Sequence, residues 1–301
     1  MRAAAFVVLV LGLGCARAAA GAELQVPDSL VFVRSGDLFR MTLDGSETVR
    51  LTTTKIEESD PAVSPDRLSI AYTRRDELWL VNAGGTGQRR LLKARPPSVR
   101  YASTGSPSWS ADGTTLVFHR VSQTPNEICS SIFRIGAGGA GLKRLTAGVV
   151  RGFLELDPAV SPDGRRIALS SGECEPGFGA GLAVVDTAGR PTRDLRRLRA
   201  TPGIQLEPAW APDGVQIAFV VYDVDGSGRS AIYRANRDGT GLRRLTRWTF
   251  DTGAPAWSPD GQWIAFHKQG GLHLMRPDGS ELERVPGTKT TDVDPAWLPR
   301  S

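Results

Sequence analysis

This sequence predicts an all-β fold: a six-bladed β-propeller of four-stranded antiparallel blades. Three observations carry that expectation. First, a phrase close to Pro-Ala-Trp-Ser-Pro-Asp-Gly recurs at 61–66, 107–113, 158–164, 208–214 and 255–261, with a truncated copy at 295–299. Second, the motif aspartates Asp66, Asp112, Asp163, Asp213 and Asp260 stand roughly 46 to 51 residues apart, a period that suits one four-stranded blade. Third, 34 Gly, 20 Pro and 40% hydrophobic residues in 301 fit one large core built from short strands and tight turns.

The repeat from Pro208 to Thr246 shows why each strand is expected. Residues 208–211 read as a short inner strand. Pro212-Asp213-Gly214 ends it, with Pro fixing φ and Gly free to turn the chain. Residues 216–220 alternate and are rich in β-formers, giving a second strand. A turn over 223–228 leads to a third strand at 230–234, and a turn over 238–241 leads to an outer strand at 242–246. Arginines in that outer strand oppose edge-to-edge pairing. No segment carries a helical period. Residues 30–34, 37–42 and 47–51 supply strands two to four of a sixth blade, and 294–299 supplies its first strand. Both ends of the chain would therefore close the ring, in a monomeric propeller spanning 28–301.

Residues 1–22 read as a signal segment: Arg2, an apolar run from Ala3 to Gly14, then small residues from Ala16 to Ala22. A run of about 12 residues is too short to span a bilayer as a helix. No later apolar stretch is long enough, so the expectation is an exported, periplasmic or extracellular protein without a transmembrane span. The alternative is a lipoprotein anchored at Cys15, although Gly12 stands where Leu, Val or Ile is usual. Cys129 and Cys174 remain as an even pair in an oxidising compartment. Both fall where loops between second and third strands are expected, in consecutive blades, so a Cys129–Cys174 disulfide is expected. The net charge of +5 is spread over the repeats. Without a basic and aromatic cluster, no nucleic-acid partner is expected.

The Pro-Ala-Trp-Ser-Pro-Asp-Gly phrase, the Ile232-Tyr233 strand, Asp238-Gly239-Thr240-Gly241 and Leu242-Arg243-Arg244-Leu245-Thr246 together resemble the WD-like repeat of TolB-type propellers. The resemblance covers about 28–299. It implies a periplasmic propeller that binds a protein partner, as TolB binds the lipoprotein Pal. TolB carries an α/β domain ahead of its propeller, and the expectation here is a propeller without it.

Candidate chemistry is sparse. No Gly-x-Ser-x-Gly elbow, His-Glu-x-x-His helix or phosphate-binding Gly loop is present. His119 and His267 fall at equivalent positions of opposite blades, where other blades have Thr73, Ser170 and Val220, and read as structural filler. His273 has no evident partner. Asp223-Val224-Asp225-Gly226-Ser227-Gly228 resembles the start of a calcium loop, but Arg234 stands at the twelfth position, where a Glu belongs. A hairpin turn is the expected reading, with no cofactor and no metal.

Acidic residues directly before the first strands, Asp60, Asp157, Glu207 and Asp294, are expected to gather at one mouth of the channel. They either attract a cation or basic peptide group or cap local backbone N–H groups. Inter-blade loops on that face carry Tyr101, Arg151, Phe153, Trp248 and Phe250, residue types that anchor partners when set on a rigid scaffold. They either do so or fold onto their own blades. The expected function is non-enzymatic binding of a protein or peptide partner at the cell envelope. A glycan- or metal-binding propeller, or a propeller hydrolase or lyase, is the alternative.

Overall fold

The computed structural model describes residues 29–93, 101–123, 128–146, 153–173, 181–194, 203–223 and 225–298. Residues 1–22, read above as a signal segment with Cys15, lie outside them, as do Arg151 and Cys174. Blade 1 holds β1 (Ser29–Arg34), β2 (Asp37–Thr42) and β3 (Thr48–Arg50). Blade 2 holds β4 (Glu58–Val63), β5 (Ser69–Arg74), β6 (Glu77–Asn82) and β7 (Arg89–Leu92). Blade 3 is β8 (Tyr101–Trp109), β9 (Thr115–Gln123), β10 (Ile128–Gly136) and β11 (Lys143–Arg144). Blade 4 is β12 (Phe153–Val160), β13 (Arg166–Glu173) and β14 (Gly181–Asp186), three strands rather than four among the described residues. Blade 5 is β15 (Ile204–Trp210), β16 (Gln216–Tyr222), β17 (Arg229–Asn236), β18 (Arg243–Arg244) and β19 (Thr249–Phe250). Blade 6 is β20 (Thr252–Trp257), β21 (Ile264–Lys268), β22 (Leu272–Met275) and β23 (Glu283–Arg284). The last strand, β24 (Asp292–Leu298), returns to blade 1 and pairs with β1, in the order β24-β1-β2-β3. The propeller is thus closed by both ends of the chain.

The repeated phrase builds the ring through its side chains. Trp109, Trp210 and Trp297 each donate the indole N–H to a carbonyl of the preceding blade, at Ala62, Ala159 and Ala256, over 2.8–3.0 Å. The Ser and Asp of the phrase fix its turn. Ser110 Oγ donates to Asp112 and accepts from Thr115 N, while Asp112 also accepts from Thr114 N. The Thr of Leu-Thr serves the blade edge instead. Thr52, Thr146 and Thr246 accept the backbone N–H of Leu38, Ile132 and Ile232 in the third strands, which the short outer strands leave unpaired.

Because side chains alternate across each sheet, every blade is apolar on both faces. Six hydrophobic clusters result, one at each blade boundary. Along β5, for example, Ile70 and Tyr72 pack towards blade 1 while Ala71 packs towards blade 3. The inner strands β24, β4, β8, β12, β15 and β20 contact one another in turn around the channel.

One expectation is corrected. No disulfide is present among the described residues. The sequence pattern places Cys129 in a loop, but β9 and β10 run on to Gln123 and Ile128, so its backbone is held in the ladder opposite Ser122.

Candidate functional site at the channel mouth

Every inner strand breaks register once, at the residue before its proline. The shifts fall between Ser59 and Ala62, Gly105 and Ser108, Leu156 and Ala159, Leu206 and Ala209, and Gly253 and Ala256. In β24 the shift falls between Val293 and Ala296. The bulged residues are Asp60, Ser106, Asp157, Glu207, Ala254 and Asp294, all with φ between 49° and 55°. Few non-glycine residues occupy this left-handed region, and a bulge is the device that re-aims a side chain. The four carboxylates therefore lie within the inner strands, not ahead of them as expected. All four line the central channel, which encloses about 630 Å³. Beneath them its wall is formed by six prolines, Pro61, Pro107, Pro158, Pro208, Pro255 and Pro295, and by Trp109, Trp210, Trp257 and Trp297.

Hydrogen bonds link the bulges from blade to blade. Asp60 accepts from Ser106 N (3.1 Å), Asp157 from Glu207 N (3.3 Å) and Glu207 from Ala254 N (2.6 Å). Asp294 takes a backbone hydrogen bond from Asp60. Capping of backbone N–H groups, one of the two readings of these carboxylates, is therefore present, and it runs between blades rather than within one.

Blades 3 and 6 lack a bulge carboxylate, and each supplies a histidine from its second strand instead. His119 pairs in register with Gly105, and His267 with Gly253. Each ring lies across its glycine. A Cβ on Gly105 would come within 2.5 Å of the His119 ring, and one on Gly253 within 2.9 Å of the His267 ring and 3.0 Å of Glu207 Oε2. The two rings are completed differently. In blade 3, His119 Nδ1 accepts the Asp157 N–H at 3.3 Å, and Ser106 Oγ donates to Asp157 Oδ1 at 2.9 Å. In blade 6, His267 stands 3.9 Å from Asp294 Oδ1 and 3.7 Å from Asp251 Oδ1, and its buried Nδ1 has no hydrogen-bond partner among the described residues.

Electrostatics follow from burying so many acids together. Burial, reinforced by the charges of Asp157, Asp294 and Asp60, pushes the Glu207 carboxyl up to about 8. Burial and Asp60 push Asp294 up to about 7. Tyr222, at the end of β16, is raised to about 12 by burial and by Glu207. Burial holds both histidines below the usual imidazole range, against the pull of nearby carboxylates.

The other described candidates are spread over blades 3, 4 and 5. Tyr101 and Phe153 open β8 and β12, upstream of the bulges on the same inner strands. Trp248 and Phe250 flank the outer edge of blade 5, where β19 pairs with the start of β17. Trp248 is half-buried against Tyr233, ring edge to face at 6.1 Å, whereas Phe250 is 57% exposed. The loop at 223–228 turns its carboxylates onto a cation of the chain itself: Arg229 reaches Asp223 at 3.2 Å and Asp225 at 3.0 Å. Among the described residues no group of three or more His, Cys, Asp or Glu side chains is arranged to hold a metal ion.

A family model described as the TolB beta propeller domain matches residues 106–299. The chain belongs to that family. TolB from Acinetobacter baumannii is similar at 20% identity and a TM-score of 0.69, over 91% of this chain and 67% of that one. Putative TolB from Agrobacterium tumefaciens is 21% identical, with a TM-score of 0.61 over 80% of this chain and 87% of its own. Oligogalacturonate lyase from Vibrio parahaemolyticus aligns at 14% identity and a TM-score of 0.56, over 82% and 70%. At these identities the likeness is one of fold, shared with TolB and with a lyase alike. In this TolB-type propeller, Ser106, Ala254 and the histidines are parts of the ring that sequence reasoning misses. A signal is present: Gly105-Ser106 and Gly253-Ala254 stand where other blades have a larger residue and an acid, and those same blades carry the histidines.

Proposed function

We propose that this protein is a non-enzymatic binding propeller of the cell envelope, which takes a protein or peptide partner at the acidic mouth of its channel. The observation that supports the reading is the gathering of Asp60, Asp157, Glu207 and Asp294 in one channel lined by proline and tryptophan. Such a mouth favours a basic group on the partner, and exposed Phe250 offers an apolar contact beside blade 5. Membership of the TolB propeller family and the apolar run from Ala3 to Gly14 support export to the periplasm or cell exterior. Among the described residues no helix is long and apolar enough to cross a membrane. A catalytic reading has less support, because the two mouth histidines lie in opposite blades and the carboxylates are engaged with backbone N–H groups.

The test is affinity capture from an envelope extract, comparing the wild-type chain with Asp157→Asn and Phe250→Ala. A partner retained by the wild type and lost from both variants supports the reading. A partner retained equally by all three moves the site elsewhere. A polysaccharide, or a metal co-purifying with the protein, would favour the glycan- or metal-binding alternative.

A further inference from the structure

We propose that the blade 6 sector of the mouth seats one primary ammonium group, a lysine side chain or an amino terminus, held between His267 Nδ1, Asp294 and Glu207. The proposal deepens the partner-binding reading and rests on it for the source of the ammonium. The broken symmetry of the ring points to it. Blades 3 and 6 are its two histidine sectors, and one hydroxyl is among their differences, present in Ser106 and absent in Ala254. Ser106 supplies a donor to the neighbouring Asp157, and the histidine behind it accepts the Asp157 N–H. Ala254 supplies no donor to Asp294, and the buried Nδ1 of His267 is without a partner among the described residues. A buried acceptor left in this state is costly, and the groups around it define what would satisfy it.

Those groups are acceptors. His267 Nδ1 and Asp294 Oδ1 are 3.9 Å apart, a separation that one donor nitrogen can bridge at about 2.9 Å to each. Glu207 Oε2 comes from blade 5 to the same side of Gly253 as the His267 ring, 3.0 Å from where a Cβ on that glycine would stand, and it accepts the Ala254 N–H at 2.6 Å. Asp251 faces the other ring nitrogen at 3.7 Å. Asp60 and Asp157 add further negative charge to these surroundings, and Tyr222 lies close enough to feel it. The three principal acceptors come from three blades, 6, 1 and 5. A tetrahedral ammonium with three N–H donors matches that arrangement, whereas the planar guanidinium fork suits a single carboxylate met edge-on. Burial lowers the His267 pKa and so favours the neutral ring, in which one nitrogen can accept, and an ammonium among the acids favours the charged form of carboxyls that burial pushes up.

The chain has three histidines, so their ring resonances can be resolved in the mature protein by NMR. The probe is Nα-acetyl-lysine methylamide at pH 8, with Nα-acetyl-arginine methylamide as its counterpart. The expected result is saturable movement of the His267 ring signals by the lysine probe, with His119 little affected. Ala254→Ser, which installs the hydroxyl of the opposite sector, and Glu207→Gln should each weaken binding about tenfold or more. No saturable shift, equal binding of the arginine probe, or unchanged affinity in folded Ala254→Ser protein overturns the proposal. Saturable calcium binding that the lysine probe does not contest also overturns it. The two readings fail separately. A bound lysine probe with no envelope partner leaves the seat standing, and a captured partner insensitive to Ala254→Ser removes the seat but keeps the partner.

Discussion

Arg34 and Asp292, 258 positions apart in the chain, meet through two parallel hydrogen bonds of 2.7 and 2.6 Å. The pair joins β1 to the strand contributed by the end of the chain, and both side chains are almost wholly withdrawn from water. Arg34 also lies over the rings of Phe32 and Phe39, 5.1 and 5.2 Å from their centres. Removing one partner would leave the other charge buried and unpaired. Asp292→Ala should therefore cost about 3–5 kcal/mol, read as a lower denaturation midpoint with an unchanged urea slope. A loss below about 1 kcal/mol would mean that ring closure does not depend on this pair.

Stability should also respond to pH through the mouth. The Glu207 and Asp294 carboxyls hold protons in the folded chain up to about 8 and 7, whereas in the unfolded chain they release them near pH 4. The unfolded state thus gains by ionising first, and stability falls as pH rises from about 4 to about 8. Glu207→Gln should flatten that decline. Urea titrations at pH 5, 6.5 and 8 measure it, and parallel curves for wild type and variant would contradict the assignment.

Gly105 and Gly253 are needed for space. Gly105→Ala would push a methyl into the His119 ring and should cost about 1–3 kcal/mol as overpacking. The double variant Gly105→Ala/His119→Ala should recover much of that loss. A thermal melt of the three proteins decides the matter, and equal melting of the single variant and wild type would show that the ring moves aside freely.

The two aromatics of blade 5 should separate on truncation. Phe250→Ala removes a mostly exposed ring, so a stability change within about 0.5 kcal/mol is expected, with any binding loss of about 2 kcal/mol or more read directly as partner contact. Trp248→Ala removes a ring packed on Tyr233 and should lower the melting temperature as well. Isothermal titration with the captured partner, beside melts of both variants, distinguishes anchor from packing.

Much of the fold is legible in the sequence because its signals are local and repeated. The Ser-Pro-Asp-Gly turn, the alternating second strand and the Leu-Thr edge each reappear at a fixed spacing, and the match of 294–299 to a first strand foretells the return of β24. The carboxylates at the mouth are legible for the same reason, since each precedes a motif proline. What stays hidden is relational. That His119 and His267 cross Gly105 and Gly253 depends on register between strands, which a pattern within one strand does not specify. The length of the β9–β10 ladder, which places Cys129 within a strand, is likewise set by pairing, because residues 120–130 carry no turn residue beyond Pro125 and Asn126 to mark its end.

The six bulges carry a consequence of their own. Asp, Ser, Glu and Ala all occupy them with nearly the same φ, so the backbone there is dictated by the ladder and the following proline, not by the side chain. Each blade thus offers an interchangeable socket facing the hub. The charge, polarity and reach of the opening can be rewritten one blade at a time while the wheel that carries it stays as it is.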